Sequence, residues 1–296
     1  MSDQDWLAQR FEEHRRRLRA VAYRMLGSVS EAEDAVQETW LRLSGSEAGE
    51  IENLSGWLTT VVARVSLNML RSRARRREEP LSPHLPDPII DRPDGVDPEH
   101  EALIADSVGL ALLVVLETLT PAERLAFVLH DTFGVPFEEI ARLTGRSPQA
   151  ARQLASRARR RVRARPVTPD VDISAQRQVV DAFVAAARDG DFEALVATLD
   201  PGVVLRADGG AARHALSAQV RGAAEVARRA VMWSRADLVM HPALVNGAAG
   251  AVATRDGVVF AIAAIIVRNG KIAEMDFLAD PERLAGLDLA ILGGRG

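Results

Sequence analysis

Residues 136–165 decide the fold of the middle of this chain, and they read PFEEIARLTGRSPQAARQLASRARRRVRAR. The first part predicts a short helix, and Gly145 marks a tight turn after it. Ser147 and Pro148 then cap a longer helix that runs into a cluster of arginines. Two helices joined by a turn that contains glycine form the helix-turn-helix pattern, although many such hairpins bind nothing. The stretch therefore predicts an all-α domain with one strongly basic helix.

This domain is predicted to span residues 98–165. Thr120 occupies the position of a helix N-cap, Pro121 that of the first helical residue, and Glu123 that of the capping-box acid. Upstream of it, residues 79–97 contain five prolines. Because proline prevents helix and favours extended backbone, this segment is predicted to be a linker between two domains.

Residues 1–78 are predicted to form a first all-α domain of three helices. In the second helix Ala32, Val36, Trp40 and Leu43 recur at helical spacing, after Ser30 as N-cap. The third helix has its own predicted buried stripe, formed by Leu54, Leu58, Val61, Val65 and Met69. Its opposite side carries polar and basic side chains three or four residues apart, namely Thr60, Arg64, Asn68, Arg71 and Arg75.

Residues 174–296 have a different sequence pattern, with apolar runs separated by turn dipeptides, and predict a third, α+β domain. Helices are expected at residues 174–188 and 222–235, followed by an antiparallel sheet. The dipeptides Asp256-Gly257 and Asn269-Gly270 are strong hairpin signals between strand-like runs. The almost continuously apolar run 258–267 is typical of a strand that is covered on both faces.

Composition narrows the function classes. The net charge is −4, but residues 146–165 carry 8 arginines and no acid, whereas residues 79–145 carry 3 arginines and 13 acids. Such a concentrated positive charge suits nucleic acid. The chain has no cysteine, which excludes disulfides and cysteine-ligated metals, and we expect no metal and no cofactor. It also has no apolar run long enough for a membrane span, so we expect a cytoplasmic protein without membrane contact.

Residues 31–43, EAEDAVQETWLRL, closely resemble the core-binding segment of the extracytoplasmic-function (ECF) sigma factors. The resemblance implies that this helix contacts RNA polymerase core, which includes the β and β′ subunits, by lying on the clamp helices of β′. A solvated polar face is the alternative interpretation of the same residues. In the sigma-factor interpretation, the contacts with polymerase would come from the outward face of this helix, formed by Asp34, Gln37, Glu38 and Leu41.

Residues 57–68 are similar to the segment of the same family that binds the minus-ten promoter element. The basic stripe named above would then follow DNA, and the loop at residues 51–56 would hold an unstacked base, with Asn53 as a candidate for that pocket. A basic helix end favoured by the helix dipole is the alternative explanation of the arginines.

The helix-turn-helix resembles the family domain that reads the minus-thirty-five element of promoter DNA. Residues near the start of its second helix would face the major groove, namely Gln149, Arg152, Gln153 and Ser156. Arginines further along, including Arg157 and Arg160, suit phosphates. The inward face is predicted to consist of Ala151, Ala155, Ala158 and Val162. Leu154 stands where many relatives have a basic residue.

The third domain resembles the SnoaL-like, cystatin-type fold, which one group of ECF sigma factors carries at the C-terminus. Three short segments resemble signatures of that group, and they imply a regulatory contact between linker and third domain. The residues are His84, Leu85, Pro86, Asp87 and Pro88 in the linker, Asp208, Gly209 and Gly210 in a turn, and Asp280, Pro281, Arg283 and Leu284 near the C-terminus.

The expected function is that of a stress-response sigma factor that directs polymerase to promoters, and not that of an enzyme. An enzymatic third domain is an alternative, with Asp208, His214, His241, Asp256 and Asp276 as candidate acids and bases; the chain's one tyrosine, Tyr23, lies in the first domain. A pocket for a small ligand in the third domain is another. A repressor or activator that binds DNA through the helix-turn-helix and senses a ligand through the last domain is the alternative to the sigma factor.

Overall fold

The computed structural model describes residues 3–46, 51–76, 85–95, 100, 109–164, 170, 172–234 and 237–287. The chain divides into two compact units. Of the described residues, 3–46, 51–76, 100 and 112–164 lie in the first unit, and the others lie in the second. The second unit therefore includes residues 85–95, which the sequence assigned to a linker between domains.

Three helices open the first unit: α1 (Asp3–Leu26), α2 (Val29–Ser44) and α3 (Leu54–Arg76). Leu18, Met25, Leu43 and Leu58 are buried where these helices pack on one another. The predicted N-cap Ser30 is wrong, because Ser28 caps α2 by accepting a hydrogen bond from the Glu31 N–H. The predicted buried stripe of α3 is shifted, since Leu54, Val61 and Met69 are only half-buried, while Val62, Ala63, Leu67 and Leu70 are buried.

Four further helices follow: α4 (Gly109–Glu117), α5 (Pro121–Phe127), α6 (Phe137–Thr144) and α7 (Pro148–Ala164), with a π-helical turn at Val128–Thr132 after α5. The predicted capping box at Thr120 and Glu123 is present in both directions. Helix α6 ends at Gly145, whose φ of 67° lies in the left-handed region that glycine adopts without strain. Helices α6 and α7 therefore form the predicted helix-turn-helix.

The second unit begins with a short strand, β1 (Ile90–Asp91). Three helices and six strands follow: α8 (Ile173–Asp189), α9 (Phe192–Thr198), β2 (Leu199–Asp208), β3 (Ala218–Arg221), α10 (Ala223–Ser234), β4 (Val239–Val245), β5 (Ala248–Arg255), β6 (Val258–Arg268) and β7 (Lys271–Leu278). A 3₁₀ turn at His214–Leu216 precedes β3, and α11 (Pro281–Ala285) follows β7.

These strands form one sheet in the order β1-β4-β5-β6-β7-β2-β3. Helices α8, α9 and α10 contribute Phe183, Leu195 and Val226 to a core that also contains Leu205 of β2 and Ile265 of β6. Within the sheet β2 runs parallel to β7, so the expected purely antiparallel sheet is wrong. The pattern of β2 was hard to recognise because Pro-Gly at residues 201–202 reads as a turn, and the structure accommodates it with an irregular register between residues 199 and 204.

The predicted hairpin turns are confirmed. Asp256 and Asn269 have φ values of 51° and 52°, and the glycine after each also has a positive φ, as a tight two-residue hairpin turn requires. Asn246 and Gly247 form a third turn of this kind between β4 and β5. The apolar strand β6 is continuously buried from residue 261 to residue 267, as its composition predicts.

Candidate functional site

The outward face of α2 carries the residues predicted to bind polymerase core. Asp34, Gln37 and Leu41 are exposed and Glu38 is half-buried. Leu41 keeps 57% of its surface accessible, which is unusual for a leucine on a helix that packs on two others. The Glu38 carboxylate pairs with Arg42 one turn later, at 3.0 Å. The structure thus places an acidic face with an apolar residue at its end on one side of α2.

The predicted minus-ten stripe lies along one exposed side of α3. Arg64, Asn68, Arg71 and Arg75 are exposed and Thr60 is half-buried. Because α3 packs its other side into the helical core, this stripe is free to meet a partner along several turns of helix. It combines three guanidinium groups, which bind phosphates, with two uncharged polar side chains.

Arg73, which lies between two members of the stripe, has a different role. Its guanidinium forms an ion pair with Glu31 of α2 and donates a hydrogen bond to the Leu26 carbonyl at 3.1 Å. It therefore ties α3 to the start of α2. The arginine-rich end of α3 is in this way divided between a structural side chain and side chains that face outward.

Asn53 begins α3. Its Oδ1 accepts a hydrogen bond from the Gly56 N–H at 3.0 Å, which satisfies one of the unpaired donors of the first helical turn. A Cβ at Gly56 would come within 2.7 Å of the Asn53 side chain, so only glycine fits there without a shift. Asn53 is exposed, but in this structure its side chain serves as a helix cap.

Helix α7 presents all six residues predicted to read the minus-thirty-five element. Gln149, Arg152, Gln153, Ser156, Arg157 and Arg160 are exposed. The Arg152 guanidinium lies 5.5 Å from the centre of the Phe137 ring and pairs with Glu138 at 3.1 Å, both on the supporting helix α6. This contact orients Arg152 at the start of α7 and is weak enough, because both partners are exposed, to be exchanged for another one.

The inward face of α7 differs by one residue from the prediction. Leu154 is 3% exposed and packs beside Ala151, Ala155 and Ala158, whereas Val162 is only half-buried. Leu154 is thus a core residue. A basic side chain at this position would point into the helical core, so residue 154 serves packing and offers no basic group at the surface.

Glu123 organises the arginines at the far end of α7. Its carboxylate pairs with Arg157 at 3.3 Å and with Arg161 at 3.1 Å, although the Glu123 side chain is only 6% exposed. Desolvation raises the pKa of Glu123, but hydrogen bonds from Thr120 and the charges of Arg161 and Arg157 outweigh it and hold the pKa below its ordinary value of 4.5. Part of the positive charge expected for phosphates is therefore engaged within the protein, while Arg160 remains exposed.

In the second unit Arg283 of α11 joins the three segments whose residues were predicted to meet. Its Nε donates to the Asp87 carboxylate at 2.8 Å, one of its terminal nitrogens donates to Asp208 at 2.8 Å, and the other reaches the Leu85 carbonyl. The Leu85 N–H in turn donates to Asp208 at 3.1 Å. We call Leu85, Asp87, Asp208 and Arg283 the latch cluster.

The turn after β2 has a shape that only glycine allows. A Cβ at Gly209 would lie 2.1 Å from the Arg213 carbonyl oxygen, and one at Gly210, whose φ is 60°, would lie 2.2 Å from the Asp280 carboxylate. Asp280 caps α11 by accepting from the Glu282 N–H at 3.0 Å, and Pro281 opens that helix. The glycines therefore bring α11 close to Asp208.

The remaining linker and tail residues surround this cluster. Pro86 and Pro88 are buried, as is Leu284 of α11. His84 lies outside the described residues. The sequence did not predict that the linker also adds a strand, in which Ile90 pairs with Val245 and the Ile89 N–H donates to the Asn246 side chain at 3.1 Å. The signal for it was weak, because only two residues pair.

The second unit contains an apolar cavity between its helices and its sheet, and none of the five candidate acids and bases lines it. Asp208 is in the latch cluster, and Asp276 pairs with the buried Arg206 on the sheet face opposite the cavity. His241 hydrogen-bonds Thr254 at 2.8 Å, His214 is exposed, and Asp256 forms its hairpin turn. None of these side chains therefore contributes an acid or a base to the cavity wall.

Two negative findings concern the part of the chain that the structure describes. None of its helices is long and apolar enough to cross a membrane. It also contains no cluster of three or more histidine, aspartate or glutamate side chains that could hold a metal ion.

Comparison with known proteins shows which class of protein this chain belongs to. Residues 10–76 match the family model of Sigma-70 region 2, and residues 109–162 match that of Sigma-70 region 4. The first match contains α2 and the basic stripe of α3, and the second contains the helix-turn-helix. The chain therefore has the two modules of an RNA polymerase sigma factor.

Curated relatives identify the family within this class. The chain is 39% identical to the ECF RNA polymerase sigma factor SigJ of Mycobacterium tuberculosis, over 94% of this chain and 93% of that protein. It is 35% identical to the probable ECF sigma factor SigI of the same species, over 99% and 100%. The crystal structure of M. tuberculosis SigJ superposes with a TM-score of 0.74 at 37% identity, covering 95% of this chain and 99% of that one.

This chain belongs to the ECF RNA polymerase sigma factors. Its function is to direct polymerase core to promoter DNA, and these matches favour that function over the repressor or activator considered as the alternative. The predicted fold class is confirmed in its architecture: two all-α sigma domains are followed by an α+β domain.

Proposed function

We propose that three surfaces of this chain divide the work of initiation. The face of α2 formed by Asp34, Gln37, Glu38 and Leu41 binds the β′ clamp helices, the α3 stripe binds the minus-ten element, and the start of α7 reads the minus-thirty-five element. The proposal is supported by exposure: every described member of these surfaces is exposed or half-buried, although each helix buries its opposite side. The chain acts on DNA in the cytoplasm and performs no catalysis.

We assign base recognition to the start of α7 because the N-terminal residues of a recognition helix reach the floor of the major groove. Gln149 and Arg152 offer amide and guanidinium groups that suit adenine and guanine edges. Arg160, about two to three turns later, is exposed and suits a phosphate. The pair between Arg152 and Glu138 would be exchanged for the base contact on binding.

We further propose that the second unit regulates promoter recognition by holding the linker. The latch cluster carries this proposal, because Arg283 contacts the Asp87 carboxylate and the Leu85 carbonyl in the linker as well as Asp208 at the end of β2. The pairing of β1 with β4 holds the same segment at a second place. Residues 85–91 thus behave as part of the second unit.

Holding this segment changes how far apart the two promoter-reading domains can lie. A chain spans at most about 3.3–3.6 Å per residue, so the 32 residues from 77 to 108 could extend over about 110 Å if none were held. With residues 85–95 held in the second unit, only residues 77–84 and 96–108 of this span are left to set that distance, and these 21 residues reach at most about 75 Å. The latch therefore restricts the separation of the domains on the promoter.

Two truncations test this regulation in transcription assays with core polymerase. Removing the tail after Asp280 deletes Arg283 but keeps the sheet, so it should free the linker and raise activity. Removing everything after Pro169 also deletes β4 and Asp208, which should leave the linker unsupported and lower activity. If both truncated proteins matched the intact chain, the second unit would have no regulatory effect.

A further inference from the structure

The second unit contains a cavity of about 330 Å³ between the helices and the sheet. Its wall is apolar almost throughout, and the largest side chains are Phe183, Met240, Phe260, Met275 and Phe277. This volume lies at the lower end of the range of about 300–1,000 Å³ that is usual for small-molecule sites. The cavity therefore suits one small molecule with a mainly hydrocarbon body.

The cavity opens to solvent on an apolar rim. Val239 of β4 lines it and is nevertheless 58% exposed. Met232 of α10, 70% exposed, is another large apolar residue at the surface of this unit. The apolar wall of the cavity therefore reaches the protein surface at Val239.

Two arginines supply the only charge in the described wall of the cavity. Arg188 is exposed near the end of α8, and Arg229 of α10 is half-buried. No described carboxylate lies within ion-pairing distance of either guanidinium: Glu225, the acid nearest in sequence to Arg229, pairs with Arg228 instead. Both arginines are therefore available to an anion at the mouth.

Contacts of Phe260 with two arginines hold the cavity wall in place. The Phe260 ring has the guanidinium groups of Arg213 and Arg255 over it, 4.4 and 4.3 Å from its centre. Arg213 also donates hydrogen bonds to the carbonyls of Phe260 and Ala279, at 2.8 and 3.0 Å. Because Phe260 is fixed from outside the cavity, the apolar wall is preformed, which lowers the cost of binding.

We propose that this cavity binds an amphipathic carboxylic acid, with its hydrocarbon chain against the apolar wall and its carboxylate at the mouth between Arg188 and Arg229. A bidentate guanidinium is the side chain that best matches a carboxylate. The described wall carries no acid, histidine or other group that could act on the ligand, so the site binds it unchanged. This site goes beyond the proposed role in initiation, and its test does not depend on that role.

Calorimetric titration of the full chain with three probes that share a ten-carbon chain tests the proposal: decanoate and decyltrimethylammonium, each below its micelle-forming concentration, and decanol below its solubility limit. Decanoate should bind with a stoichiometry of one, and decanol should bind about tenfold more weakly because it lacks the charge. The ammonium compound should bind least. Equal binding of all three would overturn the assignment of the arginines, and no binding of decanoate would overturn the site.

Variants locate the binding. The double variant Arg188→Gln, Arg229→Gln should weaken decanoate binding about tenfold and leave decanol binding unchanged. The control Arg228→Gln removes one positive charge from the helix that carries Arg229 and should have no effect. Ala253→Leu should abolish binding by filling the cavity, with circular dichroism to verify that the chain is folded. Should that variant unfold, Ala261→Val fills less space and should still weaken both probes. Unaltered decanoate binding in the double variant would refute the proposal.

Discussion

Arg283→Ala should release the linker from the second unit, and the structure gives a magnitude for the effect. Arg283 is 18% exposed at its side chain and pairs with Asp87 and Asp208, whose side chains are 12% and 5% exposed. Removing one partner of a buried ion pair costs about 3–5 kcal/mol, because the remaining charge keeps its desolvation penalty. Since Arg283 is partly exposed, we expect the lower end, about 3 kcal/mol.

This loss should appear first as opening of the linker and not as global unfolding. The Leu85 N–H donates to Asp208, and the Ile89 N–H donates to Asn246. A loss of about 3 kcal/mol corresponds to a factor of about 100 in the opening equilibrium. Hydrogen exchange of the peptide that covers residues 85–91, followed by mass spectrometry, should accelerate by about that factor.

Two controls sharpen the experiment. Arg228→Ala removes an arginine of the same unit that is exposed and paired only with its neighbour Glu225, so exchange of residues 85–91 should not change. Arg283→Lys keeps the positive charge but lacks the several N–H donors of a guanidinium. Its exchange rate at residues 85–91 should lie between those of Arg283→Ala and Arg228→Ala. Exchange in Arg283→Ala within about threefold of the unaltered protein would refute the latch and the magnitude derived from it.

Two other predictions concern the first unit. The pKa of Glu123 in the folded chain lies below its ordinary value of 4.5, so the unfolded chain takes up a proton first as the pH falls. The stability that Glu123 contributes is therefore complete above about pH 4.5 and is lost as the pH falls through the folded pKa. Glu123→Gln should flatten this acid dependence in urea unfolding followed by circular dichroism, and an unchanged slope would contradict the assignment. Arg152→Ala should cost about 1–3 kcal/mol at a correct upstream element and relax sequence preference, measured by binding to a set of altered elements. Arg160→Ala should instead weaken binding to all DNA sequences alike and reduce the slope of log affinity against log salt concentration by about one. Identical behaviour of the two variants would disprove the assignment of Arg152 to bases and of Arg160 to phosphates.

Local signals in the sequence were enough for most helices and turns. The capping box at Thr120 and the glycine after α6 each depend on a few neighbouring residues, so the sequence shows them directly. Helical spacing likewise identified which residues of α2, α3 and α7 face outward. These features could be predicted because neighbours along the chain determine them.

Features that depend on distant residues could not be predicted in the same way. The parallel pairing of β2 with β7 joins residues about 70 positions apart, and the turn-like Pro-Gly within β2 hides the strand. The short β1 strand pairs with β4, about 150 positions further along the chain. The meeting of Asp87, Asp208 and Arg283 was expected from resemblance alone, since nothing in local spacing brings them together.

Reconstituted transcription tests most directly whether this chain gives RNA polymerase core the ability to start at specific promoters. Core polymerase, a genomic promoter library and the intact chain should yield transcripts from a defined set of start sites, and core alone should not. The double variant Asp34→Arg, Glu38→Arg should remain folded and lose this activity through weaker binding to core. If the chain bound duplex DNA by itself yet yielded no promoter-specific transcript with core, it would act as a conventional DNA-binding regulator, and the account would be wrong.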